Sequence, residues 1–124
     1  MAKYKHFEEL PVWQEAKRLY NDVLDLLEEP SVPLTPGFRS QLERAALSVS
    51  NNIAEGFERS TKAELQSFIA IARGSSGEVR SMMAVVNDRP RLKCSWAAAN
   101  NPHIGGIVRP SADRLVGFYR EIGI

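Results

Sequence analysis

The apolar and polar positions of this chain alternate with a helical period rather than a strand period. Beyond Pro11, the residues Val12, Trp13, Ala16, Leu19, Tyr20, Val23, Leu24, Leu26 and Leu27 fall in an arc of roughly 160° when laid on a helix. Glu15, Arg18, Asp22, Asp25 and Glu28 take the other side, which predicts an amphipathic helix ending near Glu29 and Pro30. Proline suits a first helical position because its missing N–H would be unpaired there, and it cannot continue a helix already formed. Pro11 therefore reads as a start and "PSVPLTPG" as a connecting loop.

A second helix is predicted from Thr35, whose hydroxyl can cap it, with Pro36 at its first position. Phe38, Leu42, Ala45, Ala46, Val49, Ile53 and Phe57 form its core stripe, and Leu47 and Ala54 lie on a different face. The polar stretch "NNIAEGFERS" then reads as a seam, with Gly56 expected to stop the helix through a positive φ. Thr61 and Glu64 have the spacing of a capping box, so a third helix should run from about Ala63 to Asn87. Leu65, Phe68, Ile69, Ala72, Val79, Met82, Met83 and Val86 make its core side.

The opposite side of the third helix carries only small residues: Ala63, Ala70, Gly74, Gly77, Ser81 and Ala84. Glycine within a helix costs about 1 kcal/mol relative to alanine, so two on one face call for a reason. Close approach of another backbone supplies one, which makes these six residues the candidate oligomer interface. The last third is broken by Pro102, Gly105, Gly106 and Pro110, after which Ser111 can cap a helix burying Leu115, Val116, Phe118, Tyr119 and Ile122. The expected fold is all-α: one domain, residues 1–124, an antiparallel up-and-down four-helix bundle with an interrupted fourth helix.

Composition narrows the function classes. The 124 residues are 44% hydrophobic and 25% charged, ordinary values for a globular domain. There is no apolar run long enough to span a membrane, no apolar core of a signal peptide in "MAKYKHFEELPVW", and one cysteine, Cys94. The cytoplasm is the expected compartment. The net charge of +1 conceals an asymmetry of −3 over residues 1–36 and +4 over residues 37–124. Lys62, Arg73 and Arg80 fall within roughly 20° of one another on the third helix, a broken basic column. Arg89, Arg91 and Lys93 cluster just beyond it, and Arg109, Arg114 and Arg120 recur in the tail. The first six of these cations are the candidate nucleic-acid contacts, which would favour phosphates over base edges because no helix-turn-helix, zinc-finger or stacking motif accompanies them.

Catalytic chemistry finds no foothold. A di-metal bundle needs Glu-x-x-His pairs, and the residues three before His6 and His103 are Lys3 and Asn100. "GSSGE", residues 74–78, lacks the Gly-Lys-Ser/Thr ending of a phosphate loop. Cys94 lies near Arg91 and Lys93 but has no identifiable histidine partner, and Glu55, Glu58, Glu64 and Glu78 read as solvated or capping residues. No catalytic residue, metal ligand or cofactor is expected, and the chain reads as a non-enzyme.

Three ordered blocks carry a resemblance. Phe7, Leu10, Val12 and Trp13 fit a Phe-x-x-Leu-x-Val-Trp start; Ser48, Asn52, Ile53, Ala54, Glu55 and Gly56 fit a Ser-x-x-x-Asn-Ile-Ala-Glu-Gly core. Phe68, Ile71, Ala72, Gly74, Ser75 and Glu78 fit a Phe-x-x-Ile-Ala-x-Gly-Ser-x-x-Glu block. Over residues 7–88 the chain resembles the bacterial four-helix bundle family of 23S rRNA intervening-sequence proteins, which includes the accessory variability proteins of diversity-generating retroelements. The resemblance implies an antiparallel four-helix bundle, a ring that is a homopentamer, and no enzymatic activity. For the retroelement relatives it implies a basic surface that binds nucleic acid and a reverse-transcriptase partner. The tail "NNPHIGGIVRPS" departs from their continuous fourth helix. Two functions stay open: an oligomer binding structured RNA or DNA, and a protein–protein adaptor or scaffold with no nucleic-acid role.

Overall fold

The computed structural model describes residues 4–29, 32–86, 89 and 114. A short 3-10 turn, Phe7–Glu9, leads into α1, Pro11–Glu28; α2 is Pro36–Glu58 and α3 is Lys62–Val86. The starts obey the expected chemistry. Pro11 and Pro36 occupy the first turns of α1 and α2, and the Phe38 N–H donates to Thr35 Oγ1 at 3.2 Å. The Glu64 N–H donates to Thr61 Oγ1 at 3.2 Å, so Thr61 caps α3.

The helices run antiparallel in sequence order, with α2 packed against both α1 and α3. Tyr20 of α1 meets Glu43 of α2, and Leu27 meets Arg39, so one helix descends as the other rises. Ser48 meets Ser75 and Gln41 meets Glu78 in the same antiparallel sense across α2 and α3. The apolar stripes close on one another: Leu19, Val23, Leu26, Leu42, Val49, Ile53 and Val79 are wholly buried. Phe7 stands edge-on to Trp13 at 5.2 Å between ring centroids, an aromatic contact at the start of α1.

The four-helix expectation is corrected: among the described residues the structure is an all-α bundle of three helices. The expected fourth helix rested on apolar residues of the tail alone, in a sequence whose 3.6-residue period is interrupted by Pro90, Pro102, Pro110, Gly105 and Gly106. Residues 111–122, expected as the last helix, lie outside the described residues except for Arg114. The homopentameric ring belongs to a four-helix subunit and falls with it.

Two further expectations change. Gly56 does not stop α2 through a positive φ; it is buried inside the helix, which continues to Glu58. A Cβ placed on it would lie 2.8 Å from the Phe68 Cβ and 3.3 Å from Leu65 Cδ1. Its missing side chain is what lets α2 and α3 cross closely. Glu15, expected on the polar side of α1, is 5% exposed. Its carboxylate accepts from Arg18 Nη1 at 2.7 Å and from Arg114 Nε, ninety-nine residues away in sequence.

The loop between α1 and α2 is held by one side chain. Arg39 donates from Nη1 to the Leu27 carbonyl at 2.7 Å, from Nη2 to Val32 at 2.7 Å, and from Nε to Leu34 at 3.1 Å. Leu27 O is among the carbonyls that the end of α1 leaves without an intrahelical partner, and the guanidinium fork satisfies it.

The α1–α2 contact also contains a phenol with a shifted titration. The Tyr20 hydroxyl donates to Glu43 Oε1 at 3.1 Å. Burial first, then this hydrogen bond and the Glu43 charge, push the phenol above its ordinary pKa. The folded state thus holds the phenolic proton more tightly. Its contribution to stability is present while the phenol is protonated and is lost as pH rises through the folded pKa. Glu43→Gln is expected to lower the Tyr20 titration, read by tyrosinate absorbance across an alkaline series. An unchanged titration would refute the role given to Glu43.

Candidate nucleic-acid and assembly surfaces

Three faces divide α3. The buried face carries Ile69, Ala72, Ser76, Val79, Met83 and Val86. Ser76 has no place in the apolar pattern, yet it is fully buried, because its hydroxyl donates to the Arg73 carbonyl at 2.8 Å within the helix. Toward α2, Ser75 Oγ donates to Ser48 Oγ at 2.9 Å, and Asn52 Nδ2 reaches both the Ser48 carbonyl at 2.7 Å and Ser48 Oγ at 2.9 Å. Gln41 Nε2 donates to Glu78 Oε1 at 2.5 Å on the same side. "NNIAEGFERS" is therefore a docking seam, and its corner is closed by Arg59, which pairs with Glu55 at 2.8 Å and lies 4.9 Å from the Phe68 ring centroid.

The basic column lies on another flank. Lys62, Arg73 and Arg80 are all exposed, over a helical rise of roughly 27 Å. They stand roughly 140–160° around α3 from Glu78, and so point away from the α2 seam. Arg80 has a partner within the chain. Arg89 is exposed beyond the helix, while Arg91 and Lys93 lie outside the described residues, as do Cys94 and His103.

The third face holds the small residues. Ala63, Ala70, Gly74, Gly77, Ser81 and Ala84 are all exposed. A Cβ on Gly74 or Gly77 would meet nothing within 4 Å, so none of the described segments makes the close approach that the glycines permit. Ile71 and Val85, 52% and 71% exposed, flank this open strip. Among the described residues no group of three or more His, Cys, Asp or Glu is placed to hold a metal ion, and no helix is long and apolar enough to cross a membrane.

Glu15 and Arg39 are two charged side chains whose roles periodicity missed. A signal exists for Glu15, which sits within roughly 20° of Leu26 on the α1 wheel and so at the rim of the apolar arc. Arg39 offers none, since its partners are backbone carbonyls that only the folded loop brings together.

Against known proteins, the model of one family, described as 23S rRNA-intervening sequence protein, matches residues 8–103. The chain belongs to this family. The matched range contains the α2–α3 seam, with its Ser48–Ser75 hydrogen bond and the close approach at Gly56. It provides no link to the retroelement accessory proteins or to a reverse transcriptase. No curated protein and no solved structure matches the chain.

Proposed function

We propose that this family member is a non-enzymatic, cytoplasmic, homo-oligomeric helical protein that binds structured RNA or DNA through its basic flank. The observation that carries the reading is the exposed column Lys62, Arg73 and Arg80 on α3, directed away from the packing seam. Cations spaced along one helix edge suit phosphates, and assembly would multiply a patch too weak alone. Arg89, Arg91 and Lys93 extend the column in sequence. The test is an electrophoretic shift of a structured RNA hairpin across a salt series. Lys62→Ala with Arg73→Ala is expected to reduce the slope of log affinity against log salt by about 2, with little dependence on sequence. The reading fails if the wild-type protein gives no salt-sensitive shift at low ionic strength.

The open strip of α3 supports assembly. A Cβ on Gly74 would touch nothing among the described segments, and Ile71 is half exposed. An external backbone accounts for both. Gly77→Leu is expected to break the assembly while leaving helicity intact, as read by light scattering beside circular dichroism. An unchanged oligomer would remove this face from the interface. The exposed Ile71 and Val85 also favour a second reading, an adaptor that binds another protein here. Nuclease-resistant recovery of a stoichiometric protein partner would select it.

A further inference from the structure

The outward face of α3 carries charged and apolar edges that choose among partners. From Ala63 to Ala84, at steps of four and three residues in turn, every residue is Ala, Gly or Ser, the repeat along which a partner helix runs in a coiled coil. Arg73 and Arg80 border this midline on one side, and Ile71, Glu78 and Val85 border it on the other. Arg73 and Glu78, both exposed, stand roughly 70° to either side of it. Ile71 and Val85 are 52% and 71% exposed, apolar surface that a second helix would cover.

Between two copies of such a helix, the edges decide the direction. In a parallel pair each edge meets the opposite edge of its neighbour five residues further on. Arg73 then faces Glu78 of the second copy, twice by symmetry, and the stem of Arg80 lies over Val85 of the second copy. In an antiparallel pair like edges meet, which sets Arg73 against Arg80 and Glu78 against its own copy. We infer that the outward face of α3 is the docking surface for α3 of a second copy running parallel to it, registered by reciprocal Arg73–Glu78 pairs. The inference rests on the assembly reading above and adds the occupant, its direction and its register. Exposed ion pairs contribute little to affinity, so they select the arrangement while the covered Ile71 and Val85 supply the attraction. A guanidinium has five N–H donors, so Arg73 can meet a carboxylate and a phosphate together.

Sedimentation equilibrium of the full chain at low salt tests the pairing. Arg73→Glu turns both pairs from attraction to repulsion and should raise the dissociation constant about tenfold, and adding Glu78→Arg should restore it. In an antiparallel pair the same Arg73→Glu would face Arg80 and tighten association instead. Both side chains are exposed, so the reversals leave the core intact, with circular dichroism as the check. Direction is read separately by oxidation in a Cys94→Ser background. Ala70→Cys and Ala84→Cys should each link to its own copy, since a disulfide needs Cα atoms within about 7 Å. The two positions lie roughly 21 Å apart along α3, so an antiparallel pair could link one of them at most. The inference is overturned if Arg73→Glu leaves association unchanged or tightens it, if the double reversal fails to restore it, or if fewer than both cysteine variants link. An oligomer with any of those results keeps the assembly reading and loses the parallel pair, whereas a monomer at every concentration sinks both.

Discussion

Gly56→Val is expected to destabilise the protein by about 3 kcal/mol, at the upper end of the usual range for overpacking a core. A Cβ at this position would sit 2.8 Å from the Cβ of Phe68, a distance that real carbons avoid. The obstacle is not the flexible end of a side chain. Phe68→Ala keeps the offending Cβ and should therefore give no rescue, so α2 and α3 can only move apart. Helix propensity pulls the other way by up to about 1 kcal/mol, because any residue other than proline is a better helix former than glycine. Packing wins because the penalty falls on two backbones. Gly74→Ala and Gly77→Ala provide the control: with open space above both, each should stabilise the isolated chain by roughly 0.5–1 kcal/mol. Denaturant unfolding at low protein concentration measures all three. A neutral Gly56→Val would mean that the crossing is not as close as described.

Arg39→Met should cost about 3 kcal/mol, although it keeps much of the aliphatic stem. The guanidinium satisfies the carbonyls of Leu27, Val32 and Leu34, and hydrogen bonds from a charged donor contribute roughly 1.5–3 kcal/mol each when they do not share a common loss. Here they do share it, since one loop frays as a unit, which keeps the total well below the sum. Arg39→Lys should recover only part of the loss, because an ammonium group lacks the planar fork that reaches three acceptors. Urea unfolding gives the stability, and amide exchange near Val32 and Leu34 locates it. A loss spread evenly over the bundle would contradict the local stapling.

These two sites mark where sequence stops being legible. Thr35 and Thr61 act through bonds to their own neighbours and Pro11 and Pro36 through a fixed φ and a missing N–H, so spacing along the chain suffices to place the starts of all three helices. The core stripes are likewise visible, because burial repeats with the helical turn. Gly56 reads wrongly as a stop since a glycine near a helix end has two uses, and only the position of α3 decides between them. Glu15 sits at the rim of the apolar arc, so periodicity only hints at its burial, and its bond with Arg114, like that of Arg39 with Leu27, joins residues too far apart for a local pattern to contain. The basic column and the small-residue strip are legible as arrangements on one helix. What lies against them is not written on that helix.

The Ser48–Asn52–Ser75 chain has a consequence for how tightly the α2–α3 pair is specified. Ala45, Ala46, Val49 and Ile53 of α2 and Ile69, Ala72 and Val79 of α3 are all buried and aliphatic, and non-directional apolar contact resists sliding by one helical turn only weakly. Directional bonds do not share that tolerance. A slip of three or four residues would carry the half-buried Ser75 hydroxyl away from Ser48, part the exposed Gln41 and Glu78, and bring a side chain against Gly56 at once. Hydroxyl, amide and missing Cβ thus act as a vernier, setting the register that apolar packing leaves loosely defined.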